Sequence, residues 1–154
     1  MIRQLHSDYA AAWPQIVEDV QRIVDDCAEL GIVIAGPDGT GDPQIDIANG
    51  ICFNGDADTD SSNSPLRIPP PLADDGNWPD QTAVHFQVDT GAMPYDLAVR
   101  TALLRLLRHA GDAARLAEAD GDWAEAIHMH LRLFGPLNDR IRSVLDYATQ
   151  ASPA

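Results

Sequence analysis

Three aspartates at alternate positions form a conspicuous acidic motif in this chain: Asp56, Asp58 and Asp60. Carboxylates with this spacing occupy the first, third and fifth positions of an EF-hand calcium loop. Such a loop needs glycine at its sixth position and glutamate at its twelfth, where this chain has Ser61 and Arg67. The sequence therefore excludes an EF-hand. Two alternatives stay open, a looser cation site or a solvated acidic loop.

A second set of polar residues brackets the predicted step from a strand, residues 83–89, to a helix that begins near Pro94. A small-ligand or metal-dependent enzyme would place its site here, using four residues: His85, Asp89, Tyr95 and Asp96. Aspartates are equally suited to turns and helix caps, so a structural role is the competing interpretation. No Ser-His-Asp or Cys-His arrangement accompanies them. We therefore name no catalytic residues and no cofactor, and we favour a protein without enzymatic activity.

The charge of the chain is unevenly distributed. The 154 residues include 24 acids and 10 basic residues, which gives a formal net charge of −14. Residues 38–96 hold eleven aspartates against Arg67 alone, whereas residues 97–154 balance seven acids with seven arginines. Because contact with phosphates requires a basic patch, we expect no direct binding of nucleic acid. The natural partner of an acidic region is a protein with a basic surface.

Residues 55–81 form a long segment rich in aspartate, serine and proline, and loops of this length are usually functional or mobile. Trp78 within it either anchors the loop or contacts a partner. The leading interpretation is a non-enzymatic, acidic protein-interaction module, such as an inhibitor or regulator, that binds a basic partner surface. Its partner-binding residues would be Asp56, Asp58, Asp60, Asp74, Asp75 and Trp78.

An apolar stripe predicts an N-terminal helix. Hydrophobic residues recur at spacings of three and four from Tyr9 to Leu30, and Gly31 ends the pattern. Since Pro14 suits a first helical turn, the regular part is expected to start near Trp13. The stripe either packs on a sheet or forms a coiled-coil seam, which leaves a homodimer open.

Short strands are predicted at residues 31–35, 44–47, 51–54 and 66–68, besides 83–89. Asn49-Gly50 indicates a hairpin. A three-residue loop over residues 48–50 would pair Ile47 with Ile51 and Ile45 with Phe53. All four apolar side chains would then share one face of the sheet, with Gly50 in a left-handed bulge position.

Three helices are predicted after the last strand, over residues 94–110, 122–134 and 137–148. The first places three cations opposite its apolar face: Arg100, Arg105 and Arg108. The second has an apolar stripe with His130, expected to be structural, at its edge; the stripe comprises Trp123, Ile127, Leu131 and Phe134. The chain is expected to form one domain, 1–154, of α+β class. It would combine an N-terminal helix, a three- to four-stranded antiparallel sheet and three C-terminal helices packed on one face.

The sequence carries no sign of a membrane or secreted protein. No run of eighteen apolar residues occurs, and the N-terminus lacks the apolar region of a signal peptide. Two cysteines, Cys27 and Cys52, are too few for a disulfide scaffold. These features predict a cytoplasmic protein that does not contact membranes.

Five short stretches stand in a consistent order over about residues 31–135: Gly36–Gly41, Ile51–Asp56, Met93–Asp96, Asp120–Trp123 and Leu133–Gly135. With them the chain resembles a family of uncharacterised small proteins from phages and high-GC, actinobacterial-type bacteria. The family has basic residues just before the Pro-Tyr-Asp step, where this chain has Gly91-Ala92-Met93. The resemblance implies a small, phage-related protein and brings no known activity.

Overall fold

The elements follow the predicted order of a helix, then strands, then helices, except that one further strand lies between two of the C-terminal helices. The computed structural model describes residues 2–71, 84–87, 90–110, 114–118, 122–143 and 145. Its elements are α1 (Ile2–Glu29), β1 (Ile34–Ala35), β2 (Gln44–Asp46), β3 (Gly50–Gly55), a 3-10 turn (Ala57–Thr59), β4 (Leu66–Ile68), β5 (Val84–Gln87), α2 (Asp96–Ala110), β6 (Ala114–Glu118) and α3 (Ala124–Phe134). Residues 139–143 form a further helical segment, α4.

Strand β3 is the centre of a four-stranded antiparallel sheet. Strands β2 and β4 both pair with Ile51 and Cys52 of β3, so they lie on its opposite edges, and β1 pairs with the last two residues of β3. Ile51 lies opposite Ile45 and Ile68, while Phe53 lies opposite Leu66. The sheet thereby gathers alternate apolar side chains into the core, and the predicted α+β class is confirmed.

The β2–β3 hairpin has the predicted loop length but a different register. Its three-residue loop is 47–49 rather than 48–50, so Ile45 pairs with Ile51 and Ile47 is 56% exposed in the turn. The Asp46 carboxylate accepts a 2.6 Å hydrogen bond from the Asn49 N–H. This bond starts the turn at Asp46, so β2 ends one residue before its predicted end at residue 47. A shift of two residues leaves Ile45, Ile51 and Phe53 on their predicted face, whereas Ile47 leaves the strand and that face. Gly50 has the expected positive φ of 97°.

A second, two-stranded sheet was not predicted. Strand β5 pairs in parallel with β6, and α2 connects them as a β–α–β unit. The expectation that residues 83–89 belong to the antiparallel sheet is therefore wrong. Strand β6 has the sequence Ala-Arg-Leu-Ala-Glu. These residues favour helices, so only pairing with a distant strand makes the segment extended.

Helix α1 begins well before the predicted start near Trp13, and Pro14 lies inside it. Pro14 is on the exposed side of the helix. On the other side, the Tyr9 hydroxyl donates to the Pro69 carbonyl and Trp13 Nε1 donates to the Ile47 carbonyl at 2.9 Å. These contacts hold the first half of α1 against the sheet despite the hydrogen bond that proline cannot make.

The apolar stripe of α1 belongs to the core of the monomer. Ile16, Val20, Ile23 and Cys27 are all fully buried, and α1 packs mainly on α2. The stripe is therefore not available as a coiled-coil seam. None of the helices in the described part of the chain has the length and apolar character of a membrane span.

The buried face of α3 differs from the predicted one. Met129 and His130 are buried, whereas Ile127 and Leu131 are 37% and 53% exposed. The face of α3 that packs on α2 thus includes His130, while Ile127 and Leu131 lie outside the interface. Apolar periodicity alone locates a helix but fixes its rotation poorly where a polar group has partners in the core.

Candidate functional site

The aspartate motif after β3 is organised by its own hydrogen bonds. Asp56 Oδ1 accepts from the Asp58 N–H at 3.1 Å and its Oδ2 from the Thr59 hydroxyl at 3.2 Å, which caps the 3-10 turn. Asp58 and Asp60 are exposed. The other three predicted partner-binding residues lie outside the described part of the chain: Asp74, Asp75 and Trp78.

Asn54, at the end of β3, holds two loops together. Its Nδ2 donates to the carbonyls of Pro37 and Asn63 at 3.0 and 2.8 Å. Its Oδ1 accepts from the N–H groups of Gly55 and Asn63 at 2.7 and 2.9 Å. Since Asn54 is only 3% exposed, these bonds are shielded from water. They fix the loop before β2, residues 36–43, against the loop after β3, residues 56–65.

These two loops carry four exposed carboxylates, which we term the acidic loop surface: Asp38, Asp42, Asp58 and Asp60. A direct link between the loops is the hydrogen bond from the Ala57 N–H to the Gly39 carbonyl at 2.9 Å. The side chain and N–H of Thr40 both donate to Asp38, which lowers the pKa of that carboxyl below its ordinary 3.8. Asp38 is therefore fully ionised at neutral pH.

The ion pairs of the described residues lie elsewhere. They join Arg100 to Asp96, Arg105 and His109 to Asp19, and Arg132 to Asp26, all within or between helices. No carboxylate of residues 36–71 takes part in an ion pair with another described residue. The negative charge of the acidic loop surface consequently faces solvent without a counter-charge from the described part of the chain.

An open groove adjoins this surface, with a volume of about 510 Å³. It lies between the last turns of α1 and the segment that leads into β1 and β2. Its apolar lining includes Val24, Ile32 and Val33, and Val33 is 57% exposed. Asp25 and Asp42 supply carboxylates to the same lining. The groove therefore offers apolar contact and negative charge side by side.

The predicted site between strand and helix is only partly assembled. Thr90 Oγ1 donates to Asp96 Oδ1 at 2.5 Å, and Arg100 Nε donates to Asp96 Oδ2 at 2.7 Å. Both oxygens of Asp96 are thus occupied. Tyr95 is fully buried and its hydroxyl donates to the Ser64 carbonyl at 2.6 Å, so it ties α2 to the loop after β3 instead of facing a ligand.

The two remaining residues predicted for this site are not brought to it by described contacts. His85 lies in β5, and Asp89 lies outside the described residues. Among the described residues, no group of three or more histidine, cysteine or acidic side chains is placed to hold a metal ion. A cation-dependent site at this step therefore has no geometric support in the described part of the chain.

A buried polar cluster between three helices was missed from the sequence. Asp19 Oδ2 lies 2.9 Å from Arg105 Nε and 2.7 Å from His109 Nε2. The Arg105 guanidinium also reaches His130 and lies 4.2 Å from the centroid of the Phe134 ring. Arg100 and Arg105 were expected on the polar face of α2, but both are largely buried. No local pattern indicates a contact between residues 86 positions apart.

The hydrogen bonds of His130 define its protonation. Its Nδ1 must donate to the Gly135 carbonyl, 2.8 Å away, because a carbonyl only accepts. Nε2 is then unprotonated and accepts from Arg105 Nη1 at 3.2 Å. Burial lowers the pKa of His130 below its ordinary 6.5. The histidine is therefore a neutral structural residue, as expected from its position beside an apolar stripe.

Mild acid should weaken the fold through His130. Since the unfolded chain protonates this residue at a higher pH than the folded chain does, stability should fall as the pH drops below about 6.5. A His130→Asn variant keeps a donor for Gly135 but cannot titrate. Melting temperatures from pH 7.5 to 5 should fall several degrees further for the wild type, since 1 kcal/mol shifts the Tm of such a chain by about 2–4 °C. If the melting temperatures of the wild type and of His130→Asn fall equally with pH, His130 is not held neutral in the folded protein.

Comparisons with protein-family models, with curated proteins and with solved structures find no match to this chain. The chain's own charges, contacts and exposed groups therefore carry the functional inference.

Proposed function

We propose that this protein is a non-enzymatic interaction module that binds a basic surface of a partner protein, in the manner of an inhibitor or regulator. The observation that carries the proposal is the acidic loop surface. Its four carboxylates, Asp38, Asp42, Asp58 and Asp60, are exposed, and no described cation pairs with them. Uncompensated charge of one sign accelerates encounter with the opposite charge and rejects acidic partners.

Two further features favour binding over simple solvation. The bonds made by Asn54 and the bond between Ala57 and Gly39 hold the loops in one conformation. A partner would therefore meet carboxylates that are already in place, which reduces the entropy lost on association. The adjoining groove exposes Val33 beside Asp42, so a partner can gain hydrophobic burial as well as charge contact.

Charge-matched variants test the proposal. The loop variant replaces the acidic loop surface by asparagine: Asp38→Asn, Asp42→Asn, Asp58→Asn and Asp60→Asn. The control variant removes the same charge from exposed helical positions: Glu18→Gln, Glu29→Gln, Glu125→Gln and Asp139→Asn. Asparagine can accept the same loop hydrogen bonds, so both variants should fold, which circular dichroism verifies.

Tagged wild type and both variants should be used to capture proteins from a lysate of the source organism. We expect a basic protein that binds the wild type and the control variant equally but binds the loop variant at least about ten-fold more weakly, as calorimetry with the purified partner would measure. Added salt should weaken this binding. The proposal is refuted if the loop variant captures the same proteins in the same amounts, or if the wild type captures no basic protein.

A further inference from the structure

Arg100 is the one described residue with a buried side-chain nitrogen or oxygen that lacks a hydrogen-bond partner. Its side chain is 9% exposed, and Nη1 is the unpartnered atom. The rest of the guanidinium is well held, because Nε donates to Asp96 and the group lies 4.8 Å from the centroid of the Trp123 ring. A buried donor without an acceptor is unfavourable, so an acceptor atom from outside the chain would stabilise it.

The surroundings of Arg100 are of a kind that commonly holds ligands. Strands β5 and β6 are parallel, so their carboxyl ends meet at the same edge of the small sheet. Thr90 and Asp96 follow β5 in the chain, and Trp123 follows β6. Arg100, in the second turn of α2, contacts Asp96 at the start of the same helix and Trp123, which follows β6 in the chain. Ligands of β–α–β folds bind outside this edge of the sheet.

The chemistry of the free atom restricts the ligand. A guanidinium donates hydrogen bonds, accepts none and stays charged, so the missing partner is an acceptor oxygen. A cation is disfavoured, because Arg100 is positive and both oxygens of Asp96 are occupied by Thr90 and Arg100. Oxyanions are the preferred partners of arginine, since two of their oxygens match the spacing of its donors. Trp123 covers one face of the guanidinium, so a ligand would have to meet the group in its own plane.

We propose that Arg100 binds the carboxylate or phosphate group of a small molecule at the carboxyl edge of β5 and β6, with Asp96 and Thr90 as positioning residues. This site is separate from the acidic loop surface and does not depend on the proposed protein partner. Asp96 fixes the guanidinium plane through Nε, and Thr90 fixes Asp96 in turn. The ligand oxygen then accepts the hydrogen bond from Nη1.

Titration with inorganic phosphate and, separately, with acetate at constant ionic strength tests this site. The readout is the NMR signal of the Arg100 side-chain Nε–H in the wild type, together with the melting temperature. We expect a saturable shift of the Arg100 signal with at least one ion. A phosphate response alone identifies a phosphate site, and an acetate response alone identifies a carboxylate site.

Two charge-conserving variants complete the test. Arg100→Lys should weaken binding at least ten-fold, because lysine lacks the guanidinium fork, whereas Arg67→Lys at an exposed position in β4 should leave binding unchanged. If Arg100→Lys does not fold, the Arg100 signal of the wild type still decides the outcome. The proposal is wrong if neither ion shifts that signal, or if the shifts are confined to exposed arginines.

Discussion

A Gly55→Ala variant should lose about 3 kcal/mol or more of its free energy of unfolding. A Cβ at this position would overlap the Ser61 carbonyl oxygen and lie 2.7 Å from Tyr95 Cδ1. Both neighbours are difficult to displace, because one belongs to the backbone and the other is a fully buried ring. Overpacking of this severity exceeds the usual cost of an added methyl group, about 1–3 kcal/mol. Urea unfolding followed by circular dichroism measures the change.

Gly41→Ala, in the other loop, is the matched control. Gly41 has a φ of 69°, and nothing lies within 4 Å of a Cβ at that position. This substitution should therefore cost only the backbone strain of a left-handed alanine, about 1–2 kcal/mol. Equal losses for the two variants would contradict the tight approach of Ser61 to Gly55. Because Gly55 adjoins Asn54, its substitution should also weaken any binding by the acidic loop surface.

An Asp19→Asn variant should lose about 3 kcal/mol of stability, since it leaves a buried guanidinium without its carboxylate. Asp19 is 4% exposed and contacts Arg105 and His109 with the same oxygen. Burial alone would raise the pKa of Asp19, but hydrogen bonds from His109, Gln15 and Arg105 outweigh it and lower the pKa below 3.8. Guanidinium chloride unfolding at pH 7 measures the loss.

Asp25→Asn on the same helix provides the control. Asp25 is exposed, so this substitution should change stability by less than about 0.5 kcal/mol. The two variants should also differ in acid. Asp25→Asn keeps Asp19 and, like the wild type, should lose the stability that Asp19 contributes as the pH falls below about 3.8. Asp19→Asn lacks that carboxylate and should show no such loss. A loss at pH 7 no larger than that of Asp25→Asn would show that the polar cluster adds no net stability.

The fold was predictable where neighbouring residues determine it. The alternation of Ile51 and Phe53 predicts a strand with one buried face, and the positive φ of Gly50 follows from the hairpin. The pairing of Ile45 was not predictable from apolar residues alone, because the Asp46 side chain selects the turn. Strand β6 was missed because its residues favour helices and its partner strand lies on the far side of α2.

The polar sites were harder to predict. A helical projection separates Arg100 and Arg105 by about 140°, but it cannot show that Trp123 covers the first and that Asp19 binds the second. Asp96 was predicted to bind a ligand, and its two hydrogen-bond partners, Thr90 and Arg100, were not predicted. Tyr95 was assigned to a ligand site, whereas it is a core residue whose hydroxyl bonds a loop carbonyl. For Tyr95 and Arg105 the deciding contact joins segments that only the tertiary fold brings together.

The polar contacts of α1 with the other helices have a consequence for how the chain is made. Arg105, the partner of Asp19, lies 86 residues further along the chain, and Arg132, the partner of Asp26, lies 106 residues further along. During synthesis, the apolar stripe of α1 therefore leaves the ribosome long before α2 and α3 can cover it. Contacts between such distant segments form slowly, and exposed apolar surface in the meantime promotes aggregation. We therefore expect the nascent helix α1 to need protection by a chaperone until α2 has been synthesised.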